Sequence, residues 1–253
     1  MPELPEVERL RRQIEPELIG RTINCVFTTP KNLREPLPQS QLQALQGSCF
    51  VRIRRRGKYL ILDLDNQEAL LVHLGMTGQL VFRTGGDKHD HIVFELDEGL
   101  PLVFNDQRRF GRVLVLQTGN LETCSYLAQL GVEPLSAEFT LQYLWENCRQ
   151  RKRPIKNLIM DQHVVAGIGN IYASEALFGA GIRPTRAAGR IGQQRLRELV
   201  RHIKICLRVG LDQESPLWFV YGRAAENCLV CDTSIVRVKM AGRSTFYCPE
   251  CQR

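Results

Sequence analysis

The chain has 253 residues, of which 43% are apolar and 24% charged, with 34 Lys and Arg against 27 Asp and Glu. Its length gives room for two modest cores, and the net charge of +7 with a pI near 9.0 favours a polyanionic partner such as nucleic acid, leaving membrane surfaces open on charge alone. No apolar run approaches a membrane span, the acidic, proline-punctuated start is not a secretory signal, and Cys25, Cys49, Cys124, Cys148 and Cys206 are scattered among apolar neighbours, so a cytoplasmic protein with reduced thiols is expected.

The first eight residues, Met-Pro-Glu-Leu-Pro-Glu-Val-Glu, carry two readings. As helix punctuation, Pro5 suits a first turn, Glu6 and Glu8 suit its dipole, and Val7, Leu10 and Ile14 make an apolar stripe. As chemistry, removal of Met1 leaves Pro2 as a secondary amine, and an α-amino group titrates at about 7.7–8.0, low enough to be partly nucleophilic at neutral pH. Such an amine condenses with an aldehyde to a cationic iminium suited to β-elimination, and Glu3 lies beside it as proton donor or relay. The helix accounts for Pro5 and the stripe but not for Pro2 and Glu3.

Eight short strands are predicted next, over 22–29, 49–54, 59–64, 69–74, 79–83, 91–96, 102–104 and 112–116, separated by turn signals such as Asp65-Asn66 and Gly85-Gly86. One helix and eight strands suggest an antiparallel sandwich or flattened barrel. A short helix over 124–131 and a linker at 131–135 follow. The period then changes, and 140–149, 155–160, 170–178 and 192–209 suit helices ending at Gly210.

The last thirty-odd residues are too short and polar to make a core alone, yet they hold Cys228-Leu229-Val230-Cys231 and, after sixteen intervening residues, Cys248-Pro249-Glu250-Cys251. Four thiolates at this spacing fit one structural zinc ion, with a hairpin between the knuckles that aims Lys239 and Arg243; a pair of disulfides is the rival. Ala166-Gly167-Ile168-Gly169-Asn170 enters a helix like a phosphate loop but lacks the Lys-Ser/Thr of a nucleotide site, so it reads as a tight turn, structural or touching a nucleic-acid backbone. Two basic runs, Arg52–Lys58 and Arg149–Lys156, are solvated faces or phosphate contacts. His89 and His91 at alternate strand positions point one way, suiting a phosphate, a metal pair or plain surface. Met76 and Phe110 are core residues or loop tips that wedge into a base stack.

Taken in order, these residues resemble the bacterial formamidopyrimidine-DNA glycosylase family of the Fpg/Nei superfamily. The match runs from Met1 to Arg253 through the N-terminal octapeptide, Gly57-Lys58-Tyr59, His73-Leu74-Gly75-Met76-Thr77-Gly78, Lys88-His89-Asp90-His91, Arg108-Arg109-Phe110-Gly111, Gly167–Glu175 and the two CxxC pairs. The resemblance implies an α+β chain. Its expected parts are an N-terminal β-sandwich with an N-terminal helix (1–131), a linker (132–136), a helix-two-turn-helix domain (137–219) and a zinc-finger β-hairpin (220–253), with DNA crossing between the lobes. It implies a monomeric bifunctional enzyme that excises oxidised purines from double-stranded DNA and then nicks the strand. Pro2 would attack C1′ of a flipped nucleotide with Glu3 as acid or base. Lys58 would assist β-elimination and Arg243 δ-elimination. His89, Arg108, Arg151, Lys156 and Asn170 would hold the backbone, while Met76, Arg108 and Phe110 fill the vacated stack.

Two departures from the family pattern stand out. Gln107 replaces a proline before Arg108-Arg109-Phe110, which is expected to loosen the turn feeding the wedge. The Gly- and Thr-rich segment that caps a flipped 8-oxoguanine is missing, only 209–220 joining the last long helix to Tyr221. Altered lesion discrimination is therefore expected. The rivals are a non-catalytic binder of damaged or abasic DNA on the same scaffold, an enzyme of the Nei type acting on oxidised pyrimidines, and a zinc-ribbon interaction module on an unrelated enzyme.

Overall fold

The computed structural model describes residues 2–253, and Met1, whose removal the amine chemistry requires, lies outside them. The chain divides into two units, Met1–Ala128 and Gln129–Arg253. The first holds α1 (Leu4–Leu18), β1 (Ile23–Thr28), α2 (Gln39–Gln43), β2 (Phe50–Arg56), β3 (Tyr59–Leu64), β4 (Glu68–His73), β5 (Gly78–Phe82), β6 (Asp90–Leu96), β7 (Leu102–Asp106), β8 (Arg112–Gln117) and α3 (Ser125–Ala128). Only α2 has no counterpart among the sequence expectations; its five residues bury just Leu42, too little for a periodic signal.

The strands make two antiparallel four-stranded sheets, ordered β1-β6-β7-β5 and β2-β3-β4-β8, so the first unit is a sandwich and not a barrel. Leu60, Leu62, Leu70 and Val72 of one sheet meet Ile92, Phe94, Leu102 and Phe104 of the other in a core that also takes Val7, Ile14 and Leu18 of α1. β3 and β4 lack alternation because their far face is covered too. Ile61, Ala69 and Leu71 pack with Leu121 beneath Tyr126 and Leu127, so both faces exclude water.

The second unit holds α4 (Leu141–Cys148), α5 (Ile155–Ile159), α6 (Asn170–Gly179), α7 (Gln193–Asp212) and the hairpin of β9 (Val236–Met240) with β10 (Arg243–Tyr247). Thr140 caps α4, its Oγ1 accepting the Tyr143 N–H at 3.1 Å. α6 buries Tyr172 through Leu177 without a break, as a helix surrounded on all sides does, whereas α7 buries one stripe, Leu196, Leu199, Ile203 and Leu207.

Gly210 does not end α7, as the sequence suggested; the helix runs on to Asp212. Its role is close packing, because a Cβ there would lie 2.1 Å from the Tyr172 Oη. Beyond α7 the chain is tied down onto α6. Trp218 meets Tyr172 edge-on at 5.5 Å, Phe219 stacks on Phe178 at 5.4 Å, and the buried Glu175 carboxylate accepts N–H bonds from Phe219 (2.8 Å), Val220 (3.0 Å) and Tyr221 (2.8 Å). Burial pushes the Glu175 carboxyl upward while the three N–H donors pull it the other way.

Candidate functional site

The head of α1 bears out the helix reading of the N-terminal sequence and sets Pro2 directly before its cap. Glu3 is the N-cap: its N–H donates to Glu6 Oε2 at 2.8 Å and its carboxylate accepts the Glu6 N–H, a reciprocal capping box. The Glu3 side chain is thereby sunk to 1% exposure, while Pro2 beside it is half-buried and lines a cavity of about 570 Å³ with Glu6, Leu10, Leu74 and Gly78. A nitrogen at an open cavity with a fixed carboxylate next to it is the arrangement that amine chemistry needs.

Lys58 is 8% exposed and sits with Gly57 (φ 56°) in the two-residue turn between β2 and β3, whose ends are the paired Arg56 and Tyr59. That turn is anchored to α1 by a residue whose role the sequence concealed. Glu8 accepts bonds from Arg11 Nε (3.1 Å), Arg12 Nε (3.0 Å) and Arg55 Nε (3.1 Å). Burial alone would raise its carboxyl, but the three guanidiniums outweigh burial and hold it below the usual carboxylate range. Arg55 in turn donates to the Gly57 carbonyl at 3.0 Å, and Arg54 is clamped on Asp63. The first basic run is therefore partly structural, with Arg54 and Arg55 spent on carboxylates.

Met76 and Phe110 are not core residues: they are 39% and 42% exposed, and the Arg108 guanidinium lies 4.8 Å from the Phe110 ring centre. Their two loops are locked together by Asp106, which is fully buried. Its carboxylate accepts from Thr77 Oγ1 (2.5 Å), the Gly111 N–H (2.7 Å) and the Arg108 N–H (3.2 Å). Gly75 (φ +63°) is required because a Cβ would sit 2.4 Å from the Phe110 carbonyl carbon. Asp106 thus supplies the turn's rigidity without a proline at 107. His73 completes the motif as a neutral acceptor: its Nδ1 takes the Gly75 N–H at 3.0 Å, and burial, then Lys58, Arg112 and Arg34, push its pKa down to about 4.

The expectation that His89 and His91 share a face is overturned. His89 is half-buried in the turn before β6, outside the strand, whereas His91 is 1% exposed and bonded to Thr29 Oγ1 (3.2 Å) and the Asp106 carbonyl (3.0 Å). A register shift between Asp90 and Ile92 breaks the alternation on which that inference rested.

In the second unit Lys156, Asn170 and Arg243, far apart in sequence, line one cleft of about 410 Å³ with Arg153 and Thr245. Lys156 is 1% exposed, and its Nζ donates to Asn170 Oδ1 and Thr245 Oγ1, both at 2.7 Å, while Asn170 Nδ2 donates to the Ser244 carbonyl at 2.9 Å. These bonds tie α5, α6 and β10 together and leave a cationic cleft floor. The hairpin turn at Ala241 (φ 46°) and Gly242 (φ 78°) delivers Arg243, exposed, to its rim. Arg151 does not line this cleft, nor does Lys239. The Gly167 turn is held from within, its N–H donating to Gln162 Oε1 at 2.8 Å, so Asn170 and not the glycine amides faces the cleft.

Cys228, Cys231, Cys248 and Cys251 place their sulfurs within 4.8 Å of one another, and none of the nine cysteines is in a disulfide. Zinc bound tetrahedrally at about 2.3 Å separates sulfurs by about 3.8 Å, so the four fit one ion and leave it no open position for catalysis. The knuckles pack with Val220, Ile235 and Phe246 into a small core that is too slight to stand alone.

Family models match almost the whole chain: the formamidopyrimidine-DNA glycosylase N-terminal domain over residues 1–113, its H2TH domain over 130–217, and a zinc finger found in FPG and IleRS over 225–253. The formamidopyrimidine-DNA glycosylase of Rickettsia massiliae is 39% identical over 272 aligned positions, covering 100% of this chain and 97% of its own. That of Rickettsia bellii is 40% identical over 273 positions, with both chains fully covered. Among solved structures, the Thermus thermophilus MutM protein superposes with a TM-score of 0.89 at 34% identity, covering 99% of this chain and 98% of its own. The Lactococcus lactis enzyme, bound non-covalently to DNA containing an abasic site, gives 0.93 at 31% identity and 99% of both chains. Motifs, sandwich, helical unit, cysteine cluster and full-length relatives agree, and the chain belongs to the formamidopyrimidine-DNA glycosylase family.

Proposed function

We propose that this chain is a bifunctional DNA glycosylase and abasic-site lyase of base excision repair, acting on oxidised purines in double-stranded DNA. The observation that carries the reading is the half-buried Pro2 lining a cavity, next in sequence to a Glu3 carboxylate fixed by the first turn of α1. The bacterial relatives support a cytoplasmic setting, in contact with the nucleoid.

With Met1 removed, the Pro2 nitrogen attacks C1′ of a flipped nucleotide, and the damaged base leaves with the bonding pair and a proton. Glu3 takes the proton shed by the attacking nitrogen and passes it to O4′ as the sugar ring opens to the iminium, while the departing base draws its own from water. Loss of a C2′ proton then expels the 3′ phosphate, a second elimination expels the 5′ phosphate, and water releases the sugar remnant from Pro2. Lys58 neutralises the phosphate beside the lesion during the first elimination, and Arg243 the phosphate leaving in the second. Lys156 and Asn170, with His89, Arg108 and Arg151, hold the backbone, while Met76, Arg108 and Phe110 occupy the emptied stack. Zinc, held by the four cysteines, folds the hairpin that carries Arg243 and takes no part in bond breaking.

Base discrimination is the part of the family's function that this chain alters. The span after α7 is short and bonded down on Glu175, Tyr172 and Phe178, so it supplies no long cover for an extruded base. Cleavage of duplexes carrying an abasic site, 8-oxoguanine, formamidopyrimidine or an oxidised pyrimidine tests both parts. Excision and nicking of the abasic and formamidopyrimidine duplexes are expected, without a strong preference for 8-oxoguanine. A strong 8-oxoguanine preference overturns the altered discrimination, and no cleavage of any duplex overturns the enzymatic reading.

A further inference from the structure

The second basic run is joined in space by another that the sequence did not connect to it. The segment 149–154 runs antiparallel to 183–190. The Ile155 N–H bonds the Arg186 carbonyl (2.8 Å), Ala188 N–H the Arg153 carbonyl (2.9 Å) and Gly189 N–H the Arg151 carbonyl (2.9 Å), with Pro154 bridged to Ala187. The approach is so close that a Cβ on Gly189 would fall 2.9 Å from the Arg151 nitrogen. This zipper brings Arg186 and Arg190 against Arg149, Arg151 and Lys152. None of these five side chains has a hydrogen-bond or ion-pair partner among the described residues, whereas Arg153 next to them is paired with Asp161 at 2.6 Å.

Like charges held together by a rigid backbone, without counter-charges, repel one another and are relieved by a polyanion. We propose that this ridge is a second phosphate track, which grips the backbone of a DNA strand leading away from the cleft and supplies affinity that does not depend on damage. The inference rests on the DNA reading above. Two observations select DNA over an acidic peptide or a lipid surface. The ridge is continuous with the cleft, since Arg153 belongs to the run and lines the cleft beside Lys156, Asn170 and Arg243. And among the described residues no exposed large apolar side chain falls in either segment, so a peptide or membrane has nothing greasy to dock on.

The test is equilibrium binding of the full-length, zinc-loaded protein to undamaged duplex across a salt series, with the triple variant Lys152→Gln, Arg186→Gln, Arg190→Gln. Each lost phosphate contact lowers the slope of log K against log salt by about 0.9, so the triple variant is expected to bind with a slope shallower by about 2–3 units. Single-turnover nicking of a saturating abasic duplex is expected to be unchanged. A charge-retaining variant, Arg186→Lys with Arg190→Lys, is expected to keep the wild-type slope. An unchanged slope in the triple variant overturns the ridge, as does an equal loss in the lysine variant, which marks a structural role. If the wild type fails to bind any duplex, the DNA reading falls and the ridge with it; a wild type that binds and a triple variant with the same slope sinks the ridge alone.

Discussion

His73 provides the sharpest stability prediction. Its ring centre lies 4.8 Å from that of Tyr59, tilted by 54°, and its Nδ1 accepts the Gly75 N–H at 3.0 Å, a bond that only the neutral tautomer with hydrogen on Nε2 can make. Burial, reinforced by Lys58, Arg112 and Arg34, lowers its pKa from 6.5 to about 4. Below about pH 6.5 the unfolded chain binds a proton at this position that the folded chain refuses until about pH 4, so stability is complete above that window and drains away as pH falls through it. A gap of about 2.5 units at about 1.36 kcal/mol each sets the loss at about 3 kcal/mol, a large share of the 5–15 kcal/mol typical of a domain. The substitution His73→Asn keeps an acceptor for Gly75 and removes the titration. Both Trp residues, Trp145 and Trp218, lie in the second unit, so the readout is amide hydrogen exchange of β3 and β4. Between about pH 7 and about pH 4.5 the wild type is expected to lose about 2–3 kcal/mol more protection than His73→Asn. Parallel curves for the two proteins refute a buried neutral His73.

Three further outcomes follow from the geometry. Lys156→Met leaves Asn170 Oδ1 and Thr245 Oγ1 without their shared donor, so thermal unfolding of the second unit is expected to show a loss of about 2 kcal/mol, together with weaker abasic-duplex binding. Asp106→Ala removes three bonds that lock the Met76 and Phe110 loops, and is expected to slow excision of a paired lesion more than nicking at a preformed abasic site, because the abasic nucleotide needs less help to leave the stack. Chelation is expected to release one zinc per chain and abolish duplex binding while leaving β3 and β4 protected from exchange; retained binding after metal loss contradicts a zinc-built hairpin.

What the sequence displayed was what depends on local pattern. The eight strands, the helices and the cysteine knuckles follow from alternation, caps and spacing; the strand ends recur within two residues in the structure and the helix ends within three. The joint motif series identified the family because it stands in register along the whole chain. What stayed hidden depends on contacts between distant residues. Glu8 looked like a dipole residue, and its grip on Arg55 shows only once α1 lies on β2. His73 was only a motif letter and Asp106 stood outside the motifs until the buried bonds of Asp106 linked two loops and that of His73 fixed the Gly75 turn. Gly210 resembled a helix stop because only Tyr172, 38 positions earlier, explains it. The His89 and His91 error came from assuming an unbroken strand, and a bulge is invisible to a period-two pattern.

The central claim is that the Pro2 nitrogen becomes bonded to deoxyribose. Borohydride reduction of processed protein mixed with an abasic duplex, followed by proteolysis and mass spectrometry, reads this directly. The account predicts a stable adduct whose mass maps to the N-terminal peptide at Pro2, and no adduct when Met1 is retained. An adduct mapped to a lysine, or none on a protein that starts at Pro2 and binds the duplex, contradicts it.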